Sequence, residues 1–257
     1  KSFGHYKNLI GFKGVIISGN INNQADLALL GDYKFDYIFH QAAISDTRVY
    51  DQKIIMKTNV NSFYDLLEIA KKDGAVMVYA SSAATYGLGE NGYIDSHDVV
   101  DQLKPLNPYG DSKNDFDRWA LEQTESGQAP YFWAGLKFFN VFGPNEYHKG
   151  RMASVVLHTF RQVKKTGGMK LFRSHRADYT DGGQTRDFIY VKDLTEVCFF
   201  LMHHRQSTSN GLYNLGTGHA RTFLDLAKAT FHAMGKEPNI DFIDTPEDIR
   251  DTYQYFT

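Results

Sequence analysis

The sequence predicts an α/β fold built on a doubly wound parallel sheet. Short apolar runs, rich in β-branched and aromatic residues, alternate with longer stretches of helical character along the 257 residues. Runs that are apolar on both faces are typical of parallel strands covered by helices. The alternation of strand and helix favours a parallel sheet over an antiparallel one. A chain of this length can bury the core that such a sheet requires.

The first half of the chain supplies most of the predicted sheet. Strands are predicted at 15–17, 36–40, 75–80 and 135–139, and helices at 23–30, 53–73 and 108–125. Parallel sheets bind ligands at the carboxyl ends of their strands. We therefore expect His40–Ala43, Ser81–Ala84 and Asn140–Gly143, which all follow predicted strands, to line one crevice.

The pattern loosens after Gly143, which indicates a second, smaller α/β lobe. A helix is predicted at 152–165, a polar loop at 172–187, a strand followed by a helix at 188–204, and a short strand at 213–217. We predict a dinucleotide-binding domain of residues 1–141 plus 188–216. The substrate-binding lobe then takes residues 142–187 plus 217–257.

The composition excludes several classes of function. The net charge is −2, so nothing indicates a nucleic-acid groove or an anionic membrane surface. No apolar run reaches the roughly 18 residues of a membrane span. A single cysteine, Cys198, cannot form an internal disulfide and fits a reducing cytoplasm. Neighbouring side chains such as His203 and His204 do not face each other on a helix, and no spacing predicts a metal site.

The most informative segment is Asn107–Lys113, at a predicted helix start. Asn107 is a good N-cap, and Pro108 fits the first helical position because its missing N–H is not needed there. Tyr109 and Lys113 are four residues apart and share one helix face. A neighbouring ammonium favours the phenolate, so we expect the pKa of Tyr109 to fall from about 10. Tyr109 would then be a usable proton acceptor. Such spacing is also common by chance.

A dinucleotide-binding sheet normally opens with a strand and a glycine-rich turn, and this chain has none. The first predicted strand leads into Gly19-Asn20-Ile21-Asn22. Either the protein never bound a dinucleotide, or the opening β-α-β unit lies before Lys1. We expect the second, and we expect part of the smaller lobe to lie beyond Thr257.

Seven motifs, in order, carry a resemblance to a known family. They are Phe39–Ala43, Tyr79–Gly87, Asn107–Lys113, Phe139–Pro144, His148–Val155, Arg186–Val191 and Asn214–Gly218. The sequence resembles the extended short-chain dehydrogenase/reductases, the nucleotide-sugar epimerases and dehydratases, and is most similar to their ADP-heptose 6-epimerase branch. The resemblance implies a Rossmann-like fold, bound NADP or NAD with NADP favoured, and a role in lipopolysaccharide core biosynthesis. It also implies an ADP-heptose substrate and a homo-oligomer.

The resemblance implies four catalytic residues. Ser82 would hydrogen-bond the reacting sugar hydroxyl, Tyr109 would be the acid/base, and Lys113 would lower the pKa of Tyr109 and bind the nicotinamide ribose. In this branch a hydride leaves C6 of the heptose, the C5–C6 bond rotates, and the hydride returns to the other face. One fixed base cannot serve both steps well, so Lys149 would be a second acid/base whose pKa is lowered by burial or nearby cations.

Binding residues are also implied by matching position. For the cofactor they are Asn20, His40, Gln41, Ala42, Ala43, Ser45, Thr58, Asn59, Tyr109, Lys113, Val141 and Lys149. For the sugar nucleotide they are Asn140, Arg151, His158, Phe172, Ser174, Arg186 and Tyr253. A guanidinium such as that of Arg186 can grip diphosphate oxygens with two parallel bonds, although a salt bridge to Asp187 is an alternative for it.

Three other functions remain open at the level of sequence. A 4-epimerase of the same fold would not require Lys149. A 4,6-dehydratase usually carries Thr-Asp-Glu where this chain has Ser82-Ala83-Ala84, which argues against dehydration. A non-catalytic NADP-binding protein would have no need of Ser82, Tyr109 and Lys113 together.

Overall fold

The computed structural model describes residues 6–250 and 253–257, and the α/β class is confirmed. The chain divides into two compact units. The larger unit comprises Lys13–Phe138 and Thr195–Leu215. The smaller unit comprises Phe139–Leu194, together with the described residues before Lys13 and after Leu215.

The bounds of the elements follow in chain order. The strands are β1 (Tyr37–His40), β2 (Val76–Ser82), β3 (Trp133–Phe138), β4 (Asn140–Phe142), β5 (Met169–Phe172), β6 (Thr185–Tyr190), β7 (Gly211–Leu215), β8 (Ala220–Thr222) and β9 (Ile240–Ile243). The helices are α1 (Gln24–Ala28), α2 (Gln52–Met56), α3 (Ser62–Asp73), α4 (Pro108–Glu125), α5 (Val155–Thr166), α6 (Val191–His203), α7 (Phe223–Ala233) and α8 (Glu247–Arg250).

The larger unit is organised around a parallel sheet of order β1-β2-β3-β7. The strands predicted at 36–40, 75–80, 135–139 and 213–217 are confirmed in it. The strand predicted at 15–17 is wrong: Val15 is 73% exposed and Ile16 is 58% exposed, and neither pairs with a described strand. A strand requires a hydrogen-bonding neighbour, which an apolar run does not guarantee.

The predicted helices of the larger unit are also confirmed. The helix at 23–30 appears as α1 followed by a 3₁₀ turn at Leu29–Asp32. The helix at 53–73 appears as α2 and α3, joined by a π-helical segment at Lys57–Asn61. The helix at 108–125 is α4.

The smaller unit contains two sheets. In one, β4 and β6 are parallel and β8 is antiparallel to β6; in the other, β5 and β9 are parallel. The helix predicted at 152–165 is confirmed as α5, and the strand and helix at 188–204 as β6 and α6. The predicted loop at 172–187 is shorter, since β5 ends at Phe172 and β6 begins at Thr185. Asn140–Phe142, expected to follow a strand and line the crevice, forms β4.

An aromatic cluster fills the core of the larger unit on one face of the sheet. Phe63 of α3, which is 2% exposed, packs on the rings of His40, Tyr79 and Phe116, with centroids 4.8, 5.1 and 3.5 Å away. This core therefore supports the carboxyl end of β1 and the face of α4 that meets β2.

We expect Phe63→Ala to lower the free energy of unfolding by about 3–5 kcal/mol, because it removes a buried ring and leaves a cavity. Urea unfolding followed by circular dichroism measures the loss. Phe199→Ala is the control, since Phe199 is 58% exposed and should cost within about 0.5 kcal/mol. Equal losses for the two variants would contradict this view of the core.

Among residues 6–250 and 253–257, no helix is long and apolar enough to cross a membrane.

Candidate functional site

The start of α4 is built as the sequence predicts. The Oδ1 of Asn107 accepts a hydrogen bond from the Gly110 main-chain N at 3.0 Å, and Pro108 occupies the first turn. Gly110 allows a close approach here, because a Cβ at this position would lie 3.0 Å from the carbonyl oxygen of Ala84. The first turn of α4 therefore packs against the turn that follows β2.

Tyr109, Lys113 and Ser82 come together at this point. The Ser82 hydroxyl hydrogen-bonds the Tyr109 phenol. The Nζ of Lys113 lies 6.0 Å from the centre of the Tyr109 ring and donates to the carbonyl oxygen of Ala80 at 2.5 Å. Ser82 also caps the turn after β2, since its Oγ accepts from Ala84 N at 3.1 Å. The capping function and the contact with Tyr109 thus belong to one hydroxyl.

The pKa of Tyr109 differs from the expected value. Burial raises the pKa of Tyr109 above its ordinary value, and the hydrogen bond from Ser82 only opposes this. The predicted lowering by Lys113 is therefore wrong for this structure. Burial lowers the pKa of Lys113 to about 8, and Asp117 raises it. At pH 7 Tyr109 is a neutral phenol and Lys113 is mainly an ammonium.

Asn59 connects the loop after β1 to α4. Its Oδ1 accepts from Ile44 N at 2.8 Å, and its Nδ2 donates to Ile44 O at 3.1 Å and to Ser112 Oγ at 3.0 Å. Ser112 in turn donates to the carbonyl oxygen of Tyr109 at 2.7 Å. The buried Asn59 side chain therefore fixes the backbone of the loop relative to α4.

His40 ends β1 and is buried beside this loop. Burial, followed by the charge of Lys113, lowers the pKa of His40 to about 3, so the ring is neutral at pH 7. The remaining cofactor candidates of the larger unit lie nearby in sequence. Gln41, Ala42 and Ser45 are exposed and Ala43 is half-buried in the loop after β1. Asn20 is exposed, and Asn22 donates to the Thr58 hydroxyl at 3.2 Å.

Lys149 lies in the smaller unit, on the segment between β4 and α5. Its side chain is exposed, so of the two expected surroundings, burial or nearby cations, burial is not observed. Lys149 N donates to the carbonyl oxygen of Glu146 at 3.0 Å, and Lys149 precedes a 3₁₀ turn at Gly150–Met152. Val141, another cofactor candidate, pairs with Ile189 inside its sheet.

The carboxylate of Glu146 joins the two ends of this segment. It is 7% exposed and accepts from Gly143 N at 3.0 Å, from Ser154 N at 2.6 Å and from Ser154 Oγ at 2.7 Å. Gly143 follows β4 and Ser154 caps α5. A buried carboxylate bound in this way sets the conformation of the chain that carries Lys149.

We expect Glu146→Gln to loosen this segment, because the amide replaces one acceptor oxygen by a donor that faces another donor. Leaving buried N–H groups unpaired costs about 1–3 kcal/mol. Hydrogen exchange at Gly143 and Ser154 should become faster, and the thermal midpoint should fall. Glu237→Gln, at an exposed position of the same unit, should change neither. Unchanged exchange in Glu146→Gln would show that the carboxylate does not hold the segment.

Three sugar-nucleotide candidates cluster in the smaller unit. The Arg186 guanidinium lies 5.8 Å from the Tyr253 ring centre, and the rings of Tyr253 and Phe172 meet edge to face at 6.2 Å. Arg186 is 8% exposed and donates to the carbonyl oxygens of Thr185 at 2.7 Å and Gln254 at 2.6 Å. An aromatic pair beside a guanidinium suits an adenine base and its diphosphate.

The other candidates of this unit are placed separately. Asn140 lies in β4 and Arg151 in the turn after Lys149, and both are exposed. His158 lies on α5, with its Nε2 3.2 Å from Arg151 O. The Ser174 hydroxyl donates to Arg176 O at 2.8 Å. Asp187 accepts hydrogen bonds from the main-chain N of Thr217 and Gly218.

Three buried charged residues near these sites escaped sequence reasoning. Asp117 and Lys137 form an ion pair with side chains 0% and 3% exposed, and Asp117 acts on Lys113. The third residue is Glu146. Lys137 offered a signal, because it interrupts an apolar strand. Asp117 is eight residues after Tyr109, which places it on the same helix face.

In the part of the chain that the structure describes, no group of three or more His, Cys, Asp and Glu side chains could hold a metal ion.

The fold and these residues fit the class of protein that the sequence resembles. A buried lysine, a phenol hydrogen-bonded to a serine, and a parallel sheet are the features that the resemblance to the extended short-chain dehydrogenase/reductases implies.

Comparison with known proteins identifies the family. The model of the NAD dependent epimerase/dehydratase family matches residues 5–216. A curated ADP-L-glycero-D-manno-heptose-6-epimerase of Nitratidesulfovibrio vulgaris (strain Hildenborough) is 47% identical over 234 residues, which are 90% of this chain and 71% of that protein. One from Fusobacterium nucleatum is 45% identical over 228 residues, 86% of this chain and 67% of that protein. The chain belongs to the NAD-dependent epimerase/dehydratase family, and the recognised resemblance is confirmed.

Solved structures agree with this assignment. The crystal structure of Helicobacter pylori ADP-L-glycero-D-manno-heptose-6-epimerase is similar with a TM-score of 0.84 and 35% identity, covering 100% of this chain and 74% of that one. Thermus thermophilus UDP-glucose 4-epimerase, solved in complex with NAD, is similar with a TM-score of 0.76 and 25% identity, covering 95% of this chain and 76% of that one. The family is one of nicotinamide-dependent enzymes.

Proposed function

We propose that this enzyme inverts C6 of ADP-D-glycero-D-manno-heptose to give ADP-L-glycero-D-manno-heptose, for the lipopolysaccharide core. The observation that carries the proposal is the Ser82–Tyr109 hydrogen bond beside the buried Lys113. The substrate follows from the relatives at 45% and 47% identity, whose names give this activity.

The side chains of the larger unit support proton transfer at a sugar hydroxyl. The phenolate of Tyr109 takes the proton of the sugar hydroxyl as the hydride leaves and later returns it to the carbonyl oxygen, whereas burial keeps the phenol neutral in the free protein. Ser82 donates to the phenol oxygen and so stabilises its anionic form. The Lys113 ammonium supplies a positive charge that favours the same form. The three groups therefore store and return one proton.

We propose NADP as the cofactor of the larger unit. When bound, this group would supply the acceptor and donor of the hydride that leaves and returns to the sugar carbon. The donor set fits such a group: the Lys113 ammonium has three N–H donors, of which Ala80 O takes one. We assign the contacts of the ribose to Tyr109 and Lys113 and those of the rest of the dinucleotide to the loop that follows His40.

We propose that Lys149 is the second acid/base and that the smaller unit binds the sugar nucleotide. The exposed ammonium of Lys149 is accessible to a ligand, and Glu146 holds its segment by both ends. Arg186, Phe172 and Tyr253 supply the base and diphosphate contacts. We also propose a homo-oligomer in the cytoplasm, where the free thiol of Cys198 would stay reduced.

The test is a direct assay of the full-length protein. Incubation with ADP-D-glycero-D-manno-heptose should invert C6, observed by NMR of the sugar, while UDP-glucose should remain unchanged. Mass spectrometry of the cofactor released from the purified protein should show NADP. Inversion at C4 of UDP-glucose would favour the 4-epimerase, and absence of any inversion with cofactor bound would reject the proposed function.

A further inference from the structure

The catalytic face of α4 continues one turn beyond Lys113. Tyr109, Lys113 and Asp117 are spaced at i, i+4 and i+8 and so lie on one side of the helix. Asp117 is 0% exposed. A fully buried carboxylate requires strong partners, because the charge has lost its water. The partners of Asp117 therefore show what this part of the helix is built to hold.

Asp117 has three such partners in the sheet. Its Oδ1 accepts from the Tyr79 hydroxyl at 2.9 Å. Its Oδ2 accepts from the Ser81 hydroxyl at 2.7 Å and from Lys137 Nζ at 2.6 Å. Two partners lie on β2 and the third on β3, so one carboxylate joins α4 to both strands.

Three successive residues of β2 each bind one residue of this helix face. The pairs are Ala80 with Lys113, Ser81 with Asp117, and Ser82 with Tyr109. Along β2, the hydrogen bond between Ser81 and Asp117 lies between the Ala80–Lys113 and Ser82–Tyr109 contacts. A shift of the helix along β2 would therefore break all three contacts together.

Lys137 extends the contact to the turn that carries Ser82. Its Nζ donates to Thr85 Oγ1 at 2.9 Å and lies 5.3 Å from the centre of the Tyr86 ring. Thr85 Oγ1 donates in turn to the carbonyl oxygen of Ser82 at 2.9 Å. The ion pair is thus linked to the backbone of Ser82 through Thr85.

We propose that Asp117 and Lys137 are positioning residues that keep Tyr109 and Lys113 in register with Ser82. The proposal rests on the proposed function, because it gives those three side chains a common task. A contribution to stability alone does not explain the pair, since buried ion pairs are often replaced by apolar residues without loss. What an apolar pair cannot supply is the set of directed bonds to Ser81, Tyr79 and Thr85.

The charge of Asp117 also acts on its neighbours. It raises the pKa of Lys113, against the larger effect of burial, and it raises the pKa of Tyr109. The ionisable groups that Asp117 acts on are Tyr109 and Lys113 on α4, Tyr79 on β2 and Tyr86 in the turn after β2. His40 on β1 is influenced by Lys113. Removal of the carboxylate should therefore let the pKa of Lys113 fall further.

Asp117→Asn and the double variant Asp117→Asn with Lys137→Met test the proposal. The double variant leaves no unpaired buried charge and serves if the single variant fails to fold. We expect kcat to fall about 10²-fold, the size of effect that a misplaced catalytic group produces, with little change in KM. The alkaline limb of the pH profile should move to lower pH, because Lys113 loses its proton more easily. Arg118→Gln, which removes an ion pair with Asp101 on the solvent side of α4, is the matched control.

A second readout separates the inference from the proposed function. An NMR titration of the Lys113 side chain should show a lower pKa in Asp117→Asn, whether or not the enzyme is assayed. If the double variant is stable and fully active, and Asp117→Asn is unshifted in its titration, the pair is only structural and the inference is wrong. If wild-type protein lacks epimerase activity, the proposed function fails, and the titration together with the thermal midpoint still decides whether Asp117 acts on Lys113.

Discussion

Tyr109→Phe should lower kcat about 10²–10⁴-fold, the range that loss of a general acid/base group produces. The substitution removes one hydroxyl and leaves the ring in place beside Lys113. The sugar hydroxyl then has no group to exchange its proton with. Turnover of the ADP-heptose measured by NMR checks the effect, and KM should change little because the ring still fills its position.

The control for Tyr109→Phe is Tyr131→Phe, since Tyr131 is 63% exposed. This variant should keep wild-type turnover. Circular dichroism should show the same helix content for both variants. A Tyr109→Phe enzyme with more than about a tenth of wild-type kcat would remove Tyr109 from the acid/base role.

Lys149→Ala should also lower kcat about 10²–10⁴-fold if the reaction uses two acid/base groups. Stability should be unaffected, because the side chain is exposed and alanine keeps the main-chain bond to Glu146. Steady-state kinetics with the ADP-heptose measures the loss. Lys170→Ala, at an exposed position of the same unit, is the matched control.

The result for Lys149 also separates two functions. A 4-epimerase has no need of a second base at this position, so near-normal turnover in Lys149→Ala would reject the two-base mechanism. Together with Glu146→Gln, which alters the same segment without touching the ammonium, it distinguishes a chemical role of Lys149 from a purely structural one.

Short-range features of the sequence predicted the elements that depend on bonds between residues close together in the chain. Asn107 and Pro108 predicted the start of α4 correctly, because caps act through bonds within the first turn. The apolar runs predicted four strands of the larger sheet. Val15 and Ile16 failed as a strand because pairing depends on a neighbour that is distant in sequence.

The properties that depend on tertiary burial could not be predicted in the same way. The pKa of Tyr109 is shifted in the opposite direction from the one expected, because burial raises it and Asp117 adds to this, while only the Ser82 hydrogen bond lowers it. Helix periodicity likewise does not tell which polar face is buried, so Asp117 was missed. Lys149 was expected to be buried or to lie near other cations; its side chain is exposed, on a segment that Glu146 holds.

The wider turn at Lys57–Asn61 has a consequence for which face of this helix is buried. Ile55, Asn59 and Phe63 are buried before, within and after it. If the same residues adopted regular α-helical pitch throughout, everything beyond this turn would rotate by about 100°. Phe63 would then leave the aromatic core. The wider turn therefore absorbs one extra residue and keeps the buried residues before and after it on the same face of the helix.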